Sequence, residues 1–464
     1  MLKNNAKIHF IGIGGIGMSA LAQVLLYRGY IITGSDVALN NLTDAIEAKG
    51  GMIYKGHREA NIGDAQIVVY SSSISEDNPE LLAARRKRLN VLHRSELLAE
   101  LMEEKESIAV TGTHGKTTTA AMISEILIKA GCDPTCILGG ESYNLGSNAY
   151  SGRGKFMVAE ADESDGTHLN LAPKYAIITN IDREHLDYYR DEEHIVKTNL
   201  SFLEKIKPDG NFFGLIDDYF IRRILLHYNG RFSTFGLSAE ADLHAVNIEM
   251  EGLQSRFACV YKDKNIGQIR LNVPGRHNIL NALCAILFSL YIGIGFDAIA
   301  KALAEFRSTK RRFQIYPDTG AVTLIEDYAH HPTEISAVLE ACRLLKPRRV
   351  IAVFQPHRYT RTEQLSNEFG SSFRDSDELI LTNIYAASEK PIEGVSVKNI
   401  YDKVTETGFG NVHIIPKENI AGYLYDNYQD GDLIAVLGAG DIGEVAQELS
   451  VKFKEDENTR REKI

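Results

Sequence analysis

Cysteine is scarce in this chain, and its five residues are scattered at positions 132, 136, 259, 284 and 342. The number is odd, and no two of them form a C-x-x-C pair. This pattern argues against a disulfide framework and a thiolate zinc site, and it favours a reducing compartment. Long apolar runs are also missing, since no window of about 20 residues is apolar enough to span a membrane. We therefore expect a cytoplasmic protein without membrane insertion.

Positive charge is in short supply as well, with 51 basic against 62 acidic side chains and a net charge of −11. Proteins that bind DNA or RNA usually present a basic face, so we do not expect nucleic acid as a partner. No low-complexity block and no short-period repeat interrupts the chain. A chain of 464 residues is too long for one ordinary core, and two or three domains are expected.

The segment KIHFIGIGGIGMSALAQVLLYRGYIITGSD opens the chain with a glycine pattern. An apolar strand precedes Gly12, Gly14 and Gly17, a helical apolar pattern follows them, and Asp36 lies nineteen residues past the last glycine. This spacing is typical of a dinucleotide-binding turn, which alone would suggest a nicotinamide or flavin enzyme. The pattern reports a site for a diphosphate and leaves the attached group open.

Short apolar runs alternate with helical patterns in most of the chain, which indicates parallel sheets with crossover helices. Residues 231–274 differ, because short β-rich runs with a KDKN turn predict a small antiparallel piece. The charged segments 100–107 and 307–314 suggest domain boundaries. We therefore expect three α/β domains, at 1–106, 107–313 and 314–464.

The stretch VTGTHGKTTT is the most informative, because it follows a predicted strand and begins a predicted helix. Backbone N–H groups in such a loop bind phosphate oxygens, and the helix dipole adds to the attraction. Lys116 would neutralise charge on the β- and γ-phosphates, and the Thr117 hydroxyl would coordinate Mg²⁺. The loop is a short variant, with two residues before the Gly-Lys pair where the strict pattern has four. A glycine turn with an incidental lysine is disfavoured by this context and by the run of threonines.

Polar side chains follow two further predicted strands of the same region. VAEADESD contains Glu160, Asp162, Glu163 and Asp165, and NIDREHLDYY contains Asp182, His185 and Asp187. Ligands of doubly wound sheets bind outside the carboxyl ends of the strands. We therefore expect one carboxylate of the first group to bind Mg²⁺. The same position favours a ligand role for His185 over a structural one.

Basic and imidazole side chains concentrate in the last domain. His330 and His331 precede a helix-starting proline in EDYAHHPTEI, where they could also cap that helix. His357, Arg358 and Arg361 follow a predicted strand in FQPHRYTRT, a combination that suits a carboxylate because arginine binds it in bidentate geometry. A solvated basic loop is the alternative. VLGAGDIGEVA repeats the G-x-G-x-x-G pattern without a following strand and acidic residue, so that pattern alone does not identify a dinucleotide site.

Together these motifs resemble the ATP-dependent ligases that build the peptide of bacterial peptidoglycan, over roughly residues 7–450. The segments that carry the resemblance are GIGGIGMS, GTHGKTTT, EADESD, REHLDYY, GRHNILNA, KRRF, DYAHHPTEI, FQPHRYTRT and LGAGDIG. The resemblance implies a Rossmann-like N-terminal domain for a UDP-sugar. It further implies a central P-loop ATPase-type parallel sheet with a small antiparallel addition for ATP, and a Rossmann-like C-terminal domain for the incoming amino acid.

The resemblance also implies the site residues. ATP would meet Gly112, Thr113, His114, Gly115, Lys116, Thr117, Thr118, Asn278, Asn281 and Arg312, and Mg²⁺ would meet Thr117, Glu160 and His185. The UDP-sugar would face Gly14, Gly15, Ile16, Gly17, Met18, Ser19, Asp36, His57 and Ser72. The amino acid would face Tyr328, His330, His357, Arg358 and Arg361. The expected catalytic residues are Lys116, Glu160, His185 and His330.

Within the family, the chain is most similar to the alanine-adding branch. Several sister ligases use a carbamylated lysine about fifteen residues after the position of His185, where this chain has Leu200. The implied reaction joins L-alanine to the lactyl carboxylate of UDP-N-acetylmuramate through an acyl phosphate, with release of ADP and phosphate, in peptidoglycan precursor synthesis.

Three other functions agree less well with the sequence. A recycling ligase would add a murein tripeptide to the same sugar nucleotide, but that family does not normally carry the HRYTRT run that is intact here. An NAD(P)-dependent oxidoreductase would leave the phosphate loop and its acidic partners without a purpose. A nucleotide-binding module without catalysis would not require the convergent basic residues of the last domain.

Overall fold

Three β-sheets, each flanked by helices, organise the computed structural model, which describes residues 6–163, 166–182, 191–317, 321–387 and 389–461. Side chains are described up to residue 455. The predicted α/β class with three sheets is confirmed. Among the described residues, no helix is both long and apolar enough to cross a membrane.

The first sheet has five parallel strands, in the order β3-β2-β1-β4-β5. Its strands are β1 (Lys7–Ile11), β2 (Ile31–Asp36), β3 (Met52–Lys55), β4 (Ile67–Tyr70) and β5 (Asn90–His93). Its helices are α1 (Ile16–Tyr27), α2 (Asn41–Glu47), α3 (Pro79–Arg86) and α4 (Arg94–Glu103), with a 3-10 helix at Glu59–Ile62. The Asn40 and Asn78 side chains accept backbone N–H bonds and so fix where α2 and α3 begin.

The second sheet has ten strands, in the order β15-β14-β13-β12-β11-β10-β6-β9-β7-β8. They are β6 (Glu106–Thr111), β7 (Thr135–Ser142), β8 (Ser147–Ser151), β9 (Phe156–Glu160), β10 (Tyr175–Ile178), β11 (Asn211–Leu215), β12 (Phe232–Gly236), β13 (Leu243–Glu251), β14 (Gln254–Tyr261) and β15 (Lys264–Leu271). The helices are α5 (Lys116–Lys129), α6 (Glu192–Leu203), α7 (Tyr219–Leu225), α8 (Arg276–Tyr291) and α9 (Phe296–Ala304), with a 3-10 helix at Thr167–Asn170.

Most of this sheet is parallel, and its two ends are not. Strands β7 and β8 pair antiparallel at one edge, which the sequence did not predict. At the other edge, two-residue turns join β13 to β14 and β14 to β15, and such short turns connect antiparallel strands. The antiparallel piece predicted for residues 231–274 is therefore confirmed for β13 to β15.

The third sheet has the order β16-β17-β21-β18-β19-β20, and β16 alone runs antiparallel to its neighbour among these pairs. Its strands are β16 (Gln314–Ile315), β17 (Val322–Asp327), β18 (Val350–Phe354), β19 (Glu378–Leu381), β20 (Val412–Ile414) and β21 (Asp432–Leu437). The helices are α10 (Pro332–Arg343), α11 (Tyr359–Gln364), α12 (Ser366–Ser372), α13 (Val397–Glu406), α14 (Lys417–Asn427) and α15 (Gly443–Arg461).

Apolar residues fill both faces of the third sheet. Every residue of β18 is buried, and alternate residues of this strand belong to two separate apolar clusters. Because successive side chains of a strand point to opposite faces, each cluster covers one face. Continuous burial of this kind is typical of parallel strands with helices on both sides.

The chain divides into two compact units. One runs to Asn247 and also includes Phe257–Ile269 and Leu280–Arg307. The other contains Ile248–Arg256, Arg270–Ile279 and the chain from Ser308 onward. The first two sheets lie largely in the first unit, and the third sheet lies in the second.

A buried amide joins the first two sheets. The Asn148 side chain of β8 is fully buried, and its Nδ2 donates to the Ile16 carbonyl at 2.7 Å and to the Ser19 hydroxyl at 2.9 Å. The Gln23 Nε2 donates to its Oδ1 at 2.8 Å. Helix α1 of the first sheet therefore packs on β8 through three polar contacts from one side chain.

Candidate active site

The predicted phosphate loop lies between β6 and α5, where the sequence placed it. Gly112 and Gly115 both have left-handed backbone conformations, with φ of +122° and +79°. A Cβ atom added to Gly112 would lie 2.3 Å from the Thr179 hydroxyl oxygen and 2.7 Å from the Asn180 carbonyl oxygen. Glycine is required here for its conformation and for the close approach of β10.

Residues after β10 hold the loop in place. The Thr113 N–H donates to the Asn180 carbonyl at 3.0 Å, and the His114 N–H donates to the Asn180 Oδ1 at 2.9 Å. The Thr179 hydroxyl donates to the His114 carbonyl at 2.6 Å. Thr179 and Asn180 were not predicted as site residues, although their position in TNID, directly after a buried strand, was the available signal.

Lys116 begins α5 and lies against a buried carboxylate. Its Nζ donates to Glu163 Oε1 at 2.8 Å and to the Gly112 carbonyl at 2.6 Å. Burial raises the pKa of Glu163 to about 7, although the nearby Lys116 ammonium acts in the opposite direction. Glu163 also accepts a hydrogen bond from the Thr111 hydroxyl at 3.1 Å. The EADESD segment thus supplies a partner for the loop lysine as well as the predicted metal ligand.

Two of the three predicted magnesium ligands lie together. The Thr117 hydroxyl lies 3.0 Å from Glu160 Oε2, and the Gly139 N–H donates to Glu160 Oε1 at 2.5 Å. Both are oxygen donors, which Mg²⁺ prefers, so this pair fits the ion by its chemistry. The third predicted ligand, His185, lies outside the described residues, as do Asp165 and Asp187.

Asn281 lies against the phosphate loop. A Cβ atom on Gly115 would lie 2.4 Å from Asn281 Oδ1, and the Thr119 hydroxyl donates to the same oxygen at 3.2 Å. Asn278 precedes it by three residues in α8, and its Nδ2 donates to the Pro274 carbonyl at 2.7 Å. Asn278 and Arg312 belong to the second compact unit, so their approach to the loop stays a prediction.

The residues predicted for the UDP-sugar follow strands of the first sheet at one edge. The glycine loop follows β1, Asp36 ends β2, His57 follows β3 and Ser72 follows β4. The Asp36 carboxylate accepts the Gly14 N–H at 2.8 Å and the Ala38 N–H at 3.2 Å. Asp36 therefore holds the glycine loop in shape, whatever else it contacts.

Two members of the predicted UDP-sugar set have buried side chains. Met18 is 2% exposed and Ser19 is fully buried. The Ser19 hydroxyl donates to the Ile16 carbonyl at 3.0 Å and accepts from Asn148. For these two positions, a contact with a ligand would have to come from the backbone.

Arg94 also lies at this edge, and the sequence did not single it out. It follows β5, and a Cβ atom on Gly17 would lie 3.0 Å from its Nη1. Its Nη2 lies 3.9 Å from the Asp162 carboxylate. The sequence could have indicated this residue, because in LHRSE the arginine comes directly after a strand.

The predicted amino-acid residues come together at one edge of the third sheet. Tyr328 and His330 follow β17, while His357, Arg358 and Arg361 follow β18, and both strands neighbour β21. The rings of His330 and His357 are 5.8 Å apart, and those of Tyr328 and His330 are 5.5 Å apart. This edge therefore assembles the basic and imidazole groups of two separate motifs.

The cluster is positively charged around a neutral imidazole. Burial, assisted by the nearby His330 and Arg361, lowers the pKa of His357 to about 3. The Arg361 Nη1 lies 3.2 Å from His357 Nδ1 and donates to the His357 carbonyl at 3.3 Å. The Arg358 Nε is buried and has no hydrogen-bond partner among the described residues, and the residue has a left-handed backbone with φ of +71°. An anionic group at this edge would satisfy that guanidinium.

The two histidines of DYAHHPTEI have separate roles. His331 caps α10, since its Nδ1 accepts the Thr333 N–H at 3.4 Å, as the structural alternative predicted. His330 instead places its Nδ1 3.0 Å from the Tyr328 carbonyl and lies in the cluster. The structure thus confirms the capping role for His331, whereas a ligand role for His330 stays a prediction.

Tyr385 completes this edge and was not predicted. It follows β19, and its ring stacks on His357 at 5.7 Å with an interplanar angle of 13°. A Cβ atom on Gly440 would lie 2.6 Å from the Tyr385 ring and 2.4 Å from Gln355 Oε1. The glycines after β21 therefore allow close packing, and Arg311 binds the carbonyls of Gly438 and Gly440 at 2.7 and 3.0 Å.

Comparison with known proteins covers nearly the whole chain. Three family models match: the catalytic domain of the Mur ligase family at residues 7–106, the Mur ligase middle domain at 110–289, and the Mur ligase glutamate ligase domain at 311–440.

Individual relatives agree with these family models. A UDP-N-acetylmuramate–L-alanine ligase of Trichlorobacter lovleyi is 44% identical over 97% of this chain and 99% of its own. The protein of the same name from Carboxydothermus hydrogenoformans is 46% identical over 95% of this chain and 96% of its own. The crystal structure of UDP-N-acetylmuramate-alanine ligase from Thermotoga maritima matches with a TM-score of 0.84 at 27% identity, over 97% of this chain and 99% of that one. The chain therefore belongs to the Mur ligase family.

Proposed function

We propose that this protein joins L-alanine to the lactyl carboxylate of UDP-N-acetylmuramate, at the expense of ATP, in peptidoglycan precursor synthesis. The carboxylate attacks the γ-phosphate of ATP, which yields an acyl phosphate and ADP. The neutral amine of L-alanine then attacks the acyl carbon, inorganic phosphate leaves as the C–N bond replaces the C–O bond, and the nitrogen loses one proton. The observation that carries this proposal is the near full-length similarity to relatives named UDP-N-acetylmuramate–L-alanine ligase.

The phosphate loop has the groups that the first step needs. Lys116 begins α5 and would neutralise charge on the transferred phosphate, and the free backbone N–H groups of a helix start are suited to bind phosphate oxygens. Thr117 and Glu160 would hold Mg²⁺, with His185 as the further predicted ligand. When bound, the ion supplies positive charge that stabilises the phosphate oxygens. No protein nucleophile is needed in this scheme, because the chemistry depends on positioning.

The edge of the third sheet is suited to an amino-acid carboxylate. Arg358 and Arg361 offer planar guanidinium groups, and arginine binds a carboxylate in bidentate geometry. The neutral His357 contacts Arg361 and stacks on the Tyr385 ring. His330 lies beside the same cluster, and we include it with Lys116, Glu160 and His185 among the catalytic residues.

Each sheet takes one substrate in this proposal. Residues 1–106 bind the UDP-sugar, 107–313 bind ATP, and 314–464 bind the amino acid. The five cysteines, all free, fit the reducing cytoplasm in which ATP is available.

The proposal is tested by phosphate release with ATP, Mg²⁺ and UDP-N-acetylmuramate, in the presence of L-alanine, glycine, L-serine or the murein tripeptide. We expect release with L-alanine, at the highest kcat/KM of the set. Release with the tripeptide alone would assign the recycling reaction instead. ATP binding without release in any mixture would point to a module that binds nucleotide without catalysis.

The role of the phosphate loop is tested separately with Lys116→Ala. We expect at least a hundredfold loss of turnover, because a preorganised charge at the transferred phosphate is removed. Lys129→Ala is the matched control, since this lysine ends the same helix and is 45% exposed. Normal turnover of Lys116→Ala would refute the proposed phosphate site.

A further inference from the structure

The carboxylate of Glu80 is buried beside the first sheet, at the edge where the glycine loop follows β1. Glu80 is in the first turn of α3 and is fully buried. Its Oε1 accepts the Arg58 N–H at 3.0 Å and the Asn61 Nδ2 at 2.6 Å. Its Oε2 accepts the Ser35 hydroxyl at 2.5 Å and lies 3.3 Å from His9 Nε2. Four donors therefore occupy the lone-pair positions of one carboxylate.

Glu80 is ionised in the folded protein at neutral pH. Burial by itself would raise the pKa of Glu80, but hydrogen bonds from His9 and Ser35 outweigh it and lower the pKa to about 2. An ionised carboxylate can only accept hydrogen bonds. The Ser35 hydroxyl must therefore be the donor in its contact with Glu80.

This assignment determines the protonation of a neighbouring histidine. His57 Nδ1 lies 2.9 Å from the Ser35 hydroxyl oxygen and 3.5 Å from Glu80 Oε2. A hydroxyl carries one proton, and that proton is directed to Glu80, so Ser35 can only accept from His57. His57 Nδ1 consequently carries a hydrogen, and the lone pair of the neutral ring is at Nε2.

We propose that Glu80 is a positioning residue for the UDP-sugar: acting through Ser35, it fixes His57 with Nδ1 protonated and presents Nε2 to the ligand. This inference rests on the proposed function, in which His57 faces the UDP-sugar. His57 follows β3, and its side chain is 14% exposed, whereas Glu80 cannot reach a ligand.

Ser35 connects the same network to the glycine loop. Its carbonyl accepts the Gly12 N–H at 2.8 Å and the Ile13 N–H at 3.1 Å. The Glu80 carboxylate thus contacts the end of β2, which is hydrogen-bonded to the loop after β1. It also contacts the segment after β3. Two parts of the proposed sugar-nucleotide site are positioned by one buried group.

The first test measures the His57 tautomer directly. Long-range ¹H–¹⁵N correlation spectra of protein labelled at histidine distinguish a protonated from an unprotonated ring nitrogen, and His57→Gln assigns the signals. We expect Nδ1 to be protonated in the wild type and this preference to weaken in Ser35→Ala, which removes the acceptor at 2.9 Å and leaves only the longer approach of Glu80 at 3.5 Å. A wild-type His57 protonated at Nε2 alone, or an unchanged tautomer in Ser35→Ala, would overturn the proposal.

The second test separates ligand positioning from a purely structural role. Glu80→Gln and Ser35→Ala should each raise the KM for UDP-N-acetylmuramate several-fold, up to about tenfold, the effect of one hydrogen bond that Nε2 accepts from the ligand, with kcat and the KM for ATP within about twofold. Glu59→Gln is the matched control, because Glu59 lies on the neighbouring 3-10 helix and its side chain is 56% exposed. Equal losses in kcat and in both KM values would indicate a structural role alone.

The outcomes distinguish this inference from the proposed function. A wild-type protein that releases no phosphate with UDP-N-acetylmuramate would refute the function, while the tautomer experiment would still decide whether Glu80 sets the protonation of His57. If Glu80→Gln does not fold, Ser35→Ala decides both tests by itself, because it removes the shorter connection between the carboxylate and the imidazole and leaves the other contacts of Glu80 in place.

Discussion

Replacing Asn148 with alanine should destabilise the packing of the first sheet on the second by about 3 kcal/mol, from three hydrogen bonds at about 1 kcal/mol each. The side chain is fully buried, and it binds the Ile16 carbonyl, the Ser19 hydroxyl and the Gln23 amide. The Gln23 Nε2 would also lose this partner in a side chain that is 4% exposed, which adds a desolvation penalty. The loss of about 3 kcal/mol in the free energy of unfolding is therefore a lower bound.

The measurement is urea unfolding followed by far-UV circular dichroism, since the chain has no tryptophan to report fluorescence. Asn229→Ala is the matched control, because Asn229 is exposed, and it should change stability by less than about 0.5 kcal/mol. In a double-mutant cycle with Gln23→Ala, the two losses should not add, because the side chains share a hydrogen bond. A loss for Asn148→Ala as small as that of the control, or strict additivity in the cycle, would refute the reasoning.

Three further predictions concern the sites. Gly112→Ala should abolish nucleotide binding with near-normal far-UV circular dichroism, because its Cβ would meet the Thr179 hydroxyl at 2.3 Å, and calorimetric titration with ATP checks this. The pKa of Glu80 falls from 4.5 to about 2 on folding, so its stabilising effect of about 3 kcal/mol is complete above pH 4.5 and is lost as the pH falls toward 2. Acid titrations of Glu80→Gln should therefore show a flatter loss of stability in that range than the wild type, and equal slopes would contradict the pKa. Arg361→Lys should raise the KM for L-alanine at least tenfold, since lysine cannot form the bidentate pair, and an unchanged KM would remove Arg361 from the amino-acid site.

The strongest patterns of the sequence predicted the fold well where helices and buried strands alternate. Strands β1 and β18 and the helix that begins at Pro332 were all expected. Several strands at the sheet edges were missed, among them β3, β5 and the antiparallel β8. Edge strands such as Met52–Lys55 are short and partly exposed, so they lack the continuous apolar run that identifies a central strand.

The site was predicted most reliably where backbone geometry determines the sequence. The phosphate loop needs glycine at Gly112 and Gly115, and such positions are visible in one sequence. Asn180 and Glu80 were missed, and Glu163 was named only as a candidate metal ligand, because the positioning roles of these residues depend on contacts between segments far apart in the chain. Their residue types alone are compatible with many other surroundings.

The strand order of the third sheet has a consequence for synthesis on the ribosome. β21 lies between β17 and β18, yet it is the last strand to be made. The first sheet differs, because all five of its strands are complete at His93. A nascent chain that stops before Asp432 therefore has all five strands of the first sheet, whereas its third sheet lacks the central strand β21. The backbone edges of β17 and β18 that would pair with β21 are then unpaired, and their apolar side chains are incompletely covered. Such a chain is a substrate for chaperones and proteases until its final residues emerge.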